Sequence, residues 1–268
     1  MPQDPHQLNR LSWNAATVRH NLHKGDQAKF HREGGSTLFP EEVNLLGDIR
    51  GKQLLHLQCN CGQDTISIAS QLGAEVTGVD ISDEAIRFAG ELSRESEIPA
   101  EFHRADLFDW CEDPGVPKFD VVFSSYGATC WLSDLERWGR CVENVLKPGG
   151  RLVFVEFHPV ALMFDESGGW RLKYDYMGGE AVHEPEGVGD YVGEDCAAPQ
   201  SLEGGSEVDA PTDQFQNPHP AVGYCWGVSD HVGALLKAGC ASITLPSTPI
   251  QTPGGPIPKW LKPKTAEW

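Results

Sequence analysis

The sequence predicts an α/β protein built on a doubly wound, mainly parallel sheet, on three observations. Apolar runs of strand length recur from residue 53 onward, helical stretches separate them, and the first run stops at a tight polar loop before a helix begins. Alternation of this kind lays consecutive strands parallel, with helices on both faces. A chain of 268 residues, 40% hydrophobic and 22% charged, suits one core carrying additions.

Taken in order, residues 1–46 hold a weakly periodic helical stretch from Leu8 to about Leu22. A polar turn region ending in Leu38-Phe39-Pro40 and a short helix at Glu41–Leu46 follow. This segment is expected to form a helical lid that excludes water from a site, with His20 and His23 as possible substrate contacts. The core spans 47–157. Its first strand is Gln53–Leu57, and the next helix starts near Gln63-Asp64, turns Ile66, Ile68, Ala69 and Leu72 inward and stops at Gly73. Strand two is Glu75–Val79, and a helix capped by Ser82 with two acids in its first turn runs to about Ser96. Strand three is Glu101–Arg104, closed by Ala105-Asp106, and strand four is Phe119–Ser124. A helix over Leu132–Leu146, stopped by Lys147-Pro-Gly-Gly150, leads to strand five at Arg151–Glu156.

From 158 to 226 the composition turns to Gly, Glu, Asp and Pro, with paired glycines as breakers, so this stretch is an insertion over the site. Residues 227–268 return to the core through a helix capped by Ser229 and ended by Gly239. A strand at Ala241–Leu245 and a proline-rich wrap from Pro246 to Trp268 complete it.

Lys and Arg total 21 against 39 Asp and Glu, a formal charge of -18. That field repels phosphate backbones and anionic lipid, so nucleic acid and membrane are not expected partners. A small molecule is. The eight cysteines are scattered, Cys59-Asn-Cys61 is too close for a zinc knuckle, and no hydrophobic signal segment precedes Met1-Pro-Gln-Asp-Pro. No metal, reduced thiols and a cytoplasmic location are the expectation, for a monomer or homodimer.

The loop after strand one carries the chemistry. A dinucleotide needs Gly-x-Gly-x-x-Gly there so that the pyrophosphate can sit on bare backbone amides. Only Gly62 is present. Asp64 in the first turn of the following helix would oppose a pyrophosphate and suit an ammonium group. S-adenosylmethionine has an ammonium and no phosphate, so the loop favours it over NAD. Asp80 then accepts both ribose hydroxyls, Asp106 accepts from the adenine amine, and Ile81 and Leu107 give the ring apolar faces. Ser124 and Ser125 fall where the methionine part and the reacting methyl belong.

On these residues the chain resembles a class I S-adenosylmethionine-dependent methyltransferase. Residues 53–157 carry the likeness: His-Leu-Gln-Cys-Asn-Cys-Gly-Gln-Asp-Thr65 stands in place of the glycine-rich first motif. Val-Thr-Gly-Val-Asp80, Arg-Ala-Asp106, Phe-Asp-Val-Val-Phe-Ser-Ser125 and Leu-Lys-Pro-Gly-Gly-Arg-Leu152 keep the family's order and spacing. The resemblance implies a Rossmann-like core, with Gln58, Cys59, Asn60, Gly62 and Asp64 beside the methionine moiety and S-adenosylhomocysteine as product. Three departures stand out. His56 replaces an acidic residue, Gln58 and Asn60 replace glycines, and no seventh strand is evident after Leu245.

Methyl transfer from a sulfonium asks for an in-line nucleophile at about 3–3.5 Å, and a base only where the acceptor carries a proton to lose. His158 after strand five, Tyr126 past strand four and His231 in the returning helix are the candidates for that base. Tyr126, Trp170, Tyr174 and Trp226 are expected to shape the pocket of a small acceptor methylated on oxygen or nitrogen. Two alternatives share the cofactor: cyclisation or lyase chemistry on S-adenosylmethionine, and a binding protein without turnover.

Overall fold

The structure, a computed structural model, describes residues 4–164, 171–176, 178–196 and 215–240. The expected strand Ala241–Leu245, the wrap from Pro246 to Trp268, and Trp170 lie outside the described residues.

Five strands form one parallel sheet in the order β3-β2-β1-β4-β5: β1 Gln53–Leu57, β2 Glu75–Asp80, β3 Glu101–Arg104, β4 Phe119–Ser124 and β5 Leu146–Phe154. The order reverses between β1 and β4, which opens a crevice at their carboxyl ends. The three inner strands β1, β2 and β4 are mostly buried because both faces are covered, whereas the edge strand β3 is half-exposed. On one face Leu55, Leu57, Val79 and Val122 pack with Trp138 and Val142; on the other, Leu54, Val76, Val121, Phe123 and Val153 pack with Leu46, Ile49 and Ile68. Each fully buried aliphatic or aromatic side chain contributes about 1.5–3 kcal/mol before the entropy of ordering it.

The helices follow their caps. The chain enters α1 Pro5–Asn21 through Asp4, α5 Asp83–Ser96 through Ser82 and α7 Leu135–Val145 through Asp134, each cap accepting a backbone N–H of the first turn. Helix α3 is Pro40–Leu46, and α4 Gln63–Ser67 continues as a π-helical turn, Ile68–Leu72, that ends at Gly73.

Several boundaries differ from expectation. Two helices fall where turns or nothing were expected: α2 Gln27–Arg32 and α6 Leu107–Glu112, whose caps Asp26 and Asp106 supply the side-chain oxygen that a short helix needs. The helix expected from Leu132 starts at Leu135, because Asp134 rather than a residue near Leu132 caps it, and a short turn, Thr129–Trp131, precedes it. Strand five begins earlier than Arg151 and ends before Glu156. Phe119 pairs with Leu146 but Val121 with Arg151, so Lys147-Pro-Gly-Gly150 bulges within the strand instead of ending a helix outside it. Helix α10 runs over Val228–Lys237, and its entry is closed by Asp230 Oδ2 accepting the Gly227 N–H, which leaves Ser229 inside the helix.

Between residues 158 and 226 lie α8 Pro159–Leu162, α9 Tyr191–Cys196 and an antiparallel pair, β6 Ala181–Glu184 with β7 Ala221–Tyr224. Helix α1 ties this pair to the core. Asn9 exchanges two hydrogen bonds with Val222, at 2.8 and 2.7 Å, while Arg10 and Asn14 hold Asp83 at 2.7 and 2.8 Å. Among the described residues, no helix is long and apolar enough to cross a membrane.

Candidate functional site

A cavity of about 660 Å³ lies over the carboxyl ends of β1, β2 and β4, within the usual range for a small-molecule site. Its floor is the loop after β1. Gln58 and Asn60 take left-handed backbone angles, φ 53° and 48°, a conformation that costs a non-glycine residue about 1–2 kcal/mol. That is why glycines suit these positions. Here side chains support the bend: Gln58 Nε2 donates to the Ala128 carbonyl at 2.8 Å, and Asn60 Oδ1 accepts the Cys61 N–H at 2.7 Å. Gly62, also left-handed, faces away from the cavity, where a Cβ would come within 2.9 Å of Ala89 and 2.8 Å of Phe102. It is therefore a packing glycine.

Asp80 ends β2 at the cavity wall. Its Oδ2 accepts the Asn60 N–H at 2.9 Å and its Oδ1 the Ser82 N–H at 2.8 Å, so both oxygens are fixed in direction and each keeps a lone pair. Burial raises its pKa against these bonds. Ile81, Leu107 and Asp106 line the same end. Asp106 is partly engaged: Oδ1 caps α6, and Oδ2 meets His6 Nδ1 at 2.5 Å. Because the Ser133 N–H donates to His6 Nε2, the ring proton sits on Nδ1 and points at Asp106. Burial pushes the Asp106 pKa up, but bonds from His6, Phe108 and Asp109 outweigh it and hold the carboxyl below its ordinary value.

Cys59, Asp64, Ser125 and Tyr126 also line the cavity. Burial drives the Cys59 and Cys61 thiols up, so both are neutral. Burial also raises Asp64, which accepts the Thr37 hydroxyl at 2.5 Å. Ser124 is fully buried on the other side of the strand and is not a lining residue. Two buried polar atoms of the lining have no partner, His56 Nε2 and Gln58 Oε1; burial lowers the His56 pKa to about 3, so this ring is neutral where an acid was the family pattern.

The other expected contacts sit elsewhere. His158 is exposed and caps α8 with Nδ1. His231 is buried, with Nδ1 donating to the Gly227 carbonyl at 2.8 Å and Nε2 against Thr129 Oγ1 at 2.9 Å, and it borders only a small adjacent void. Trp226 donates Nε1–H to the Leu132 carbonyl and borders that same void. His20 lies behind Tyr191, bonded to the Gly189 carbonyl, and His23 faces Asp190 at 3.0 Å. Tyr174 hydrogen-bonds Glu184. Strand-end position alone could not separate structural from cavity-facing groups.

Sequence reasoning missed His6, Asn9, Trp13, Cys130 and Trp131, which line the cavity from α1 and from the turn after β4. It also missed Glu156. This half-buried carboxylate accepts the N–H groups of Gly127, Ala128, Thr129 and Phe157 and the Thr129 hydroxyl, and thereby fixes the turn that forms one wall. An acid at the carboxyl end of a strand was the only signal.

Glu42 stands behind the site, 1% exposed. Its pKa is raised from 4.5 to about 8, first by burial and then by Asp64. A raised carboxyl stabilises the fold fully below its unfolded value and loses that contribution as pH climbs through about 8. Glu42→Gln keeps an acceptor for the Phe39 N–H, which Glu42 Oε2 holds at 2.7 Å. It is expected to flatten a stability slope of up to about 1.4 kcal/mol per pH unit. Urea unfolding of both proteins at pH 5, 6.5 and 8 measures this; parallel slopes would refute it.

Residues 54–150 match the model of a methyltransferase domain. The chain is 29% identical over 132 residues to demethylmenaquinone methyltransferase of Lactococcus lactis subsp. lactis, a match covering 47% of this chain and 50% of that protein. It is 26% identical over 159 residues to ubiquinone biosynthesis O-methyltransferase of Alkalilimnicola ehrlichii, covering 52% and 61%. With phosphoethanolamine N-methyltransferase 1 of Zea mays it shares 29% over 126 residues, covering 46% and 24%. The chain thus spans about half the length of the first of these relatives.

Proposed function

Residues 54–150 match a methyltransferase domain, and from that premise we propose that they form a class I S-adenosylmethionine-dependent domain and that the protein transfers a methyl group to an oxygen or nitrogen of a small-molecule acceptor. One observation carries the reading: Asp80, with both oxygens oriented by backbone N–H groups, stands at the end of β2 beside a loop bent as a glycine motif would be. Bound in the cavity, S-adenosylmethionine would supply a methyl group on a positively charged sulfur.

The chain's own residues fit that ligand. Asp80 accepts the ribose hydroxyls through its remaining lone pairs, and Ile81 and Leu107 enclose the adenine. The His6–Asp106 pair borders the ring edge. Gln58 Oε1 and His56 Nε2, buried and unpartnered, offer hydrogen bonds to the amino-acid end, where Asp64 favours the ammonium. Helix α1 and the turn after β4 exclude water, so positioning supplies much of the rate. An O-methyltransferase and an N-methyltransferase among the relatives' names suit either acceptor atom.

Calorimetric titration with S-adenosylhomocysteine is expected to give one site with a Kd near the micromolar range, about -8 kcal/mol. An acceptor screen read by mass is expected to find S-adenosylhomocysteine with an acceptor heavier by one methylene. Methylthioadenosine without homocysteine product would mean different chemistry on the same cofactor, and absence of binding would sink the assignment.

A further inference from the structure

We propose that the acceptor is an amine methylated on nitrogen, whose N–H is received by Tyr126 backed by Glu41; this rests on the methyl-transfer reading above. Past Ser125 the cavity wall becomes aromatic. Tyr126 packs on Phe157 with ring centroids 5.0 Å apart, Trp13 meets Trp131 edge-on at 5.5 Å, and Tyr191 completes that side. Aromatic faces of this kind attract a cation.

The charges agree. The described lining holds Asp64, Asp80 and Asp106 and contains no Lys or Arg. Behind it, the Tyr126 hydroxyl donates to Glu41 Oε1 at 3.1 Å, and Glu42 lies buried with Oε1 unpartnered. Lys24 acts on Asp64 from outside the lining. A carboxylate, sulfate or phosphate acceptor would enter this region with no counter-charge.

The atom to be methylated follows from the sign of the charge that develops. When a nitrogen lone pair forms the new C–N bond, the carbon–sulfur bond breaks onto sulfur and the positive charge passes to nitrogen. Glu41, behind Tyr126, favours it throughout, while Asp64, Asp80 and Asp106 face the cofactor. Its proton then leaves to the Tyr126 oxygen as the Tyr126 proton moves to Glu41. An oxygen acceptor needs phenolate or alkoxide character, which these carboxylates oppose. Because the Tyr126 O–H is already committed to Glu41, the tyrosine presents a lone pair to the cavity, which matches an N–H and not an oxyanion. Burial together with Glu42 and Glu41 pushes the Tyr126 phenol up, the mark of a region short of positive charge.

The test uses the full chain saturated with S-adenosylhomocysteine, whose binding is measured first. Three probes are then titrated against tryptophan fluorescence: phenyltrimethylammonium, its uncharged isostere tert-butylbenzene, and benzenesulfonate. The cation is expected to bind about 10-fold more tightly than the isostere, and benzenesulfonate more weakly than both. Glu41→Gln is expected to weaken the cation about 3- to 10-fold and leave the isostere unchanged. A cation that binds no better than its isostere, or a sulfonate that binds as well as the cation, overturns the proposal while the cofactor site stands. Failure to bind S-adenosylhomocysteine removes the methyl-transfer reading itself.

Discussion

Asp80→Ala is expected to weaken S-adenosylhomocysteine binding by about 100-fold or more, measured by calorimetry. Two hydrogen bonds to a charged acceptor are lost, at about 1.5–3 kcal/mol each, and 1.4 kcal/mol corresponds to tenfold. The alanine also releases the Asn60 and Ser82 N–H groups, so part of the loss comes from a loosened loop. Asp80→Asn separates the two causes. Its amide keeps one oxygen acceptor but turns an NH2 toward the other backbone N–H, so the expected loss is about 10-fold with a smaller drop in urea midpoint than the alanine gives. If both variants bind like the parent, Asp80 only braces the loop and the turn that leads into α5.

Glu156→Ala is expected to lower stability by about 2–4 kcal/mol, because one carboxylate satisfies the half-buried N–H groups of a whole turn and no other side chain replaces it. Glu156→Gln should fall between, since an amide accepts through one oxygen and turns N–H toward the others. Urea unfolding with an unchanged m-value reads the effect. The Gln58 side chain hangs on the Ala128 carbonyl of that turn, so cofactor affinity of folded Glu156→Gln is expected to drop a few-fold as well. A variant of parental stability would show that water supplies the missing acceptor.

The inner strands were legible because they are short apolar runs bounded by turn residues, a local pattern that depends on no distant partner. Gln53–Leu57 and Phe119–Ser124 fall where the pattern puts them, and the polar edge strand Glu101–Arg104 falls where the alternation of strand and helix leaves room for it. Asp80, Ile81, Asp106 and Leu107 were legible as strand-end residues, and the loop as a bent one. Side-chain partners across the fold were not. Nothing near His6 in the sequence points to Asp106, and nothing near His231 says that both ring nitrogens are already bonded. Glu156 has the same cause: its acceptor role depends on a turn folding back over 27–29 residues. Short helices such as α2 and α6 escaped because a single aspartate cap decides them.

The span of the α1 contacts has a consequence for how the molecule assembles. Asn9 meets Val222 across 213 positions of chain and His6 meets Asp106 across 100. The five described strands of the parallel sheet end at residue 154, but the contacts of α1 with β7 cannot form until residues near 222 exist and the ends of a very long loop have closed. Closure over such separations is slow compared with local folding. On a ribosome the five described sheet strands therefore emerge before the wall that α1 shares with β7 can close.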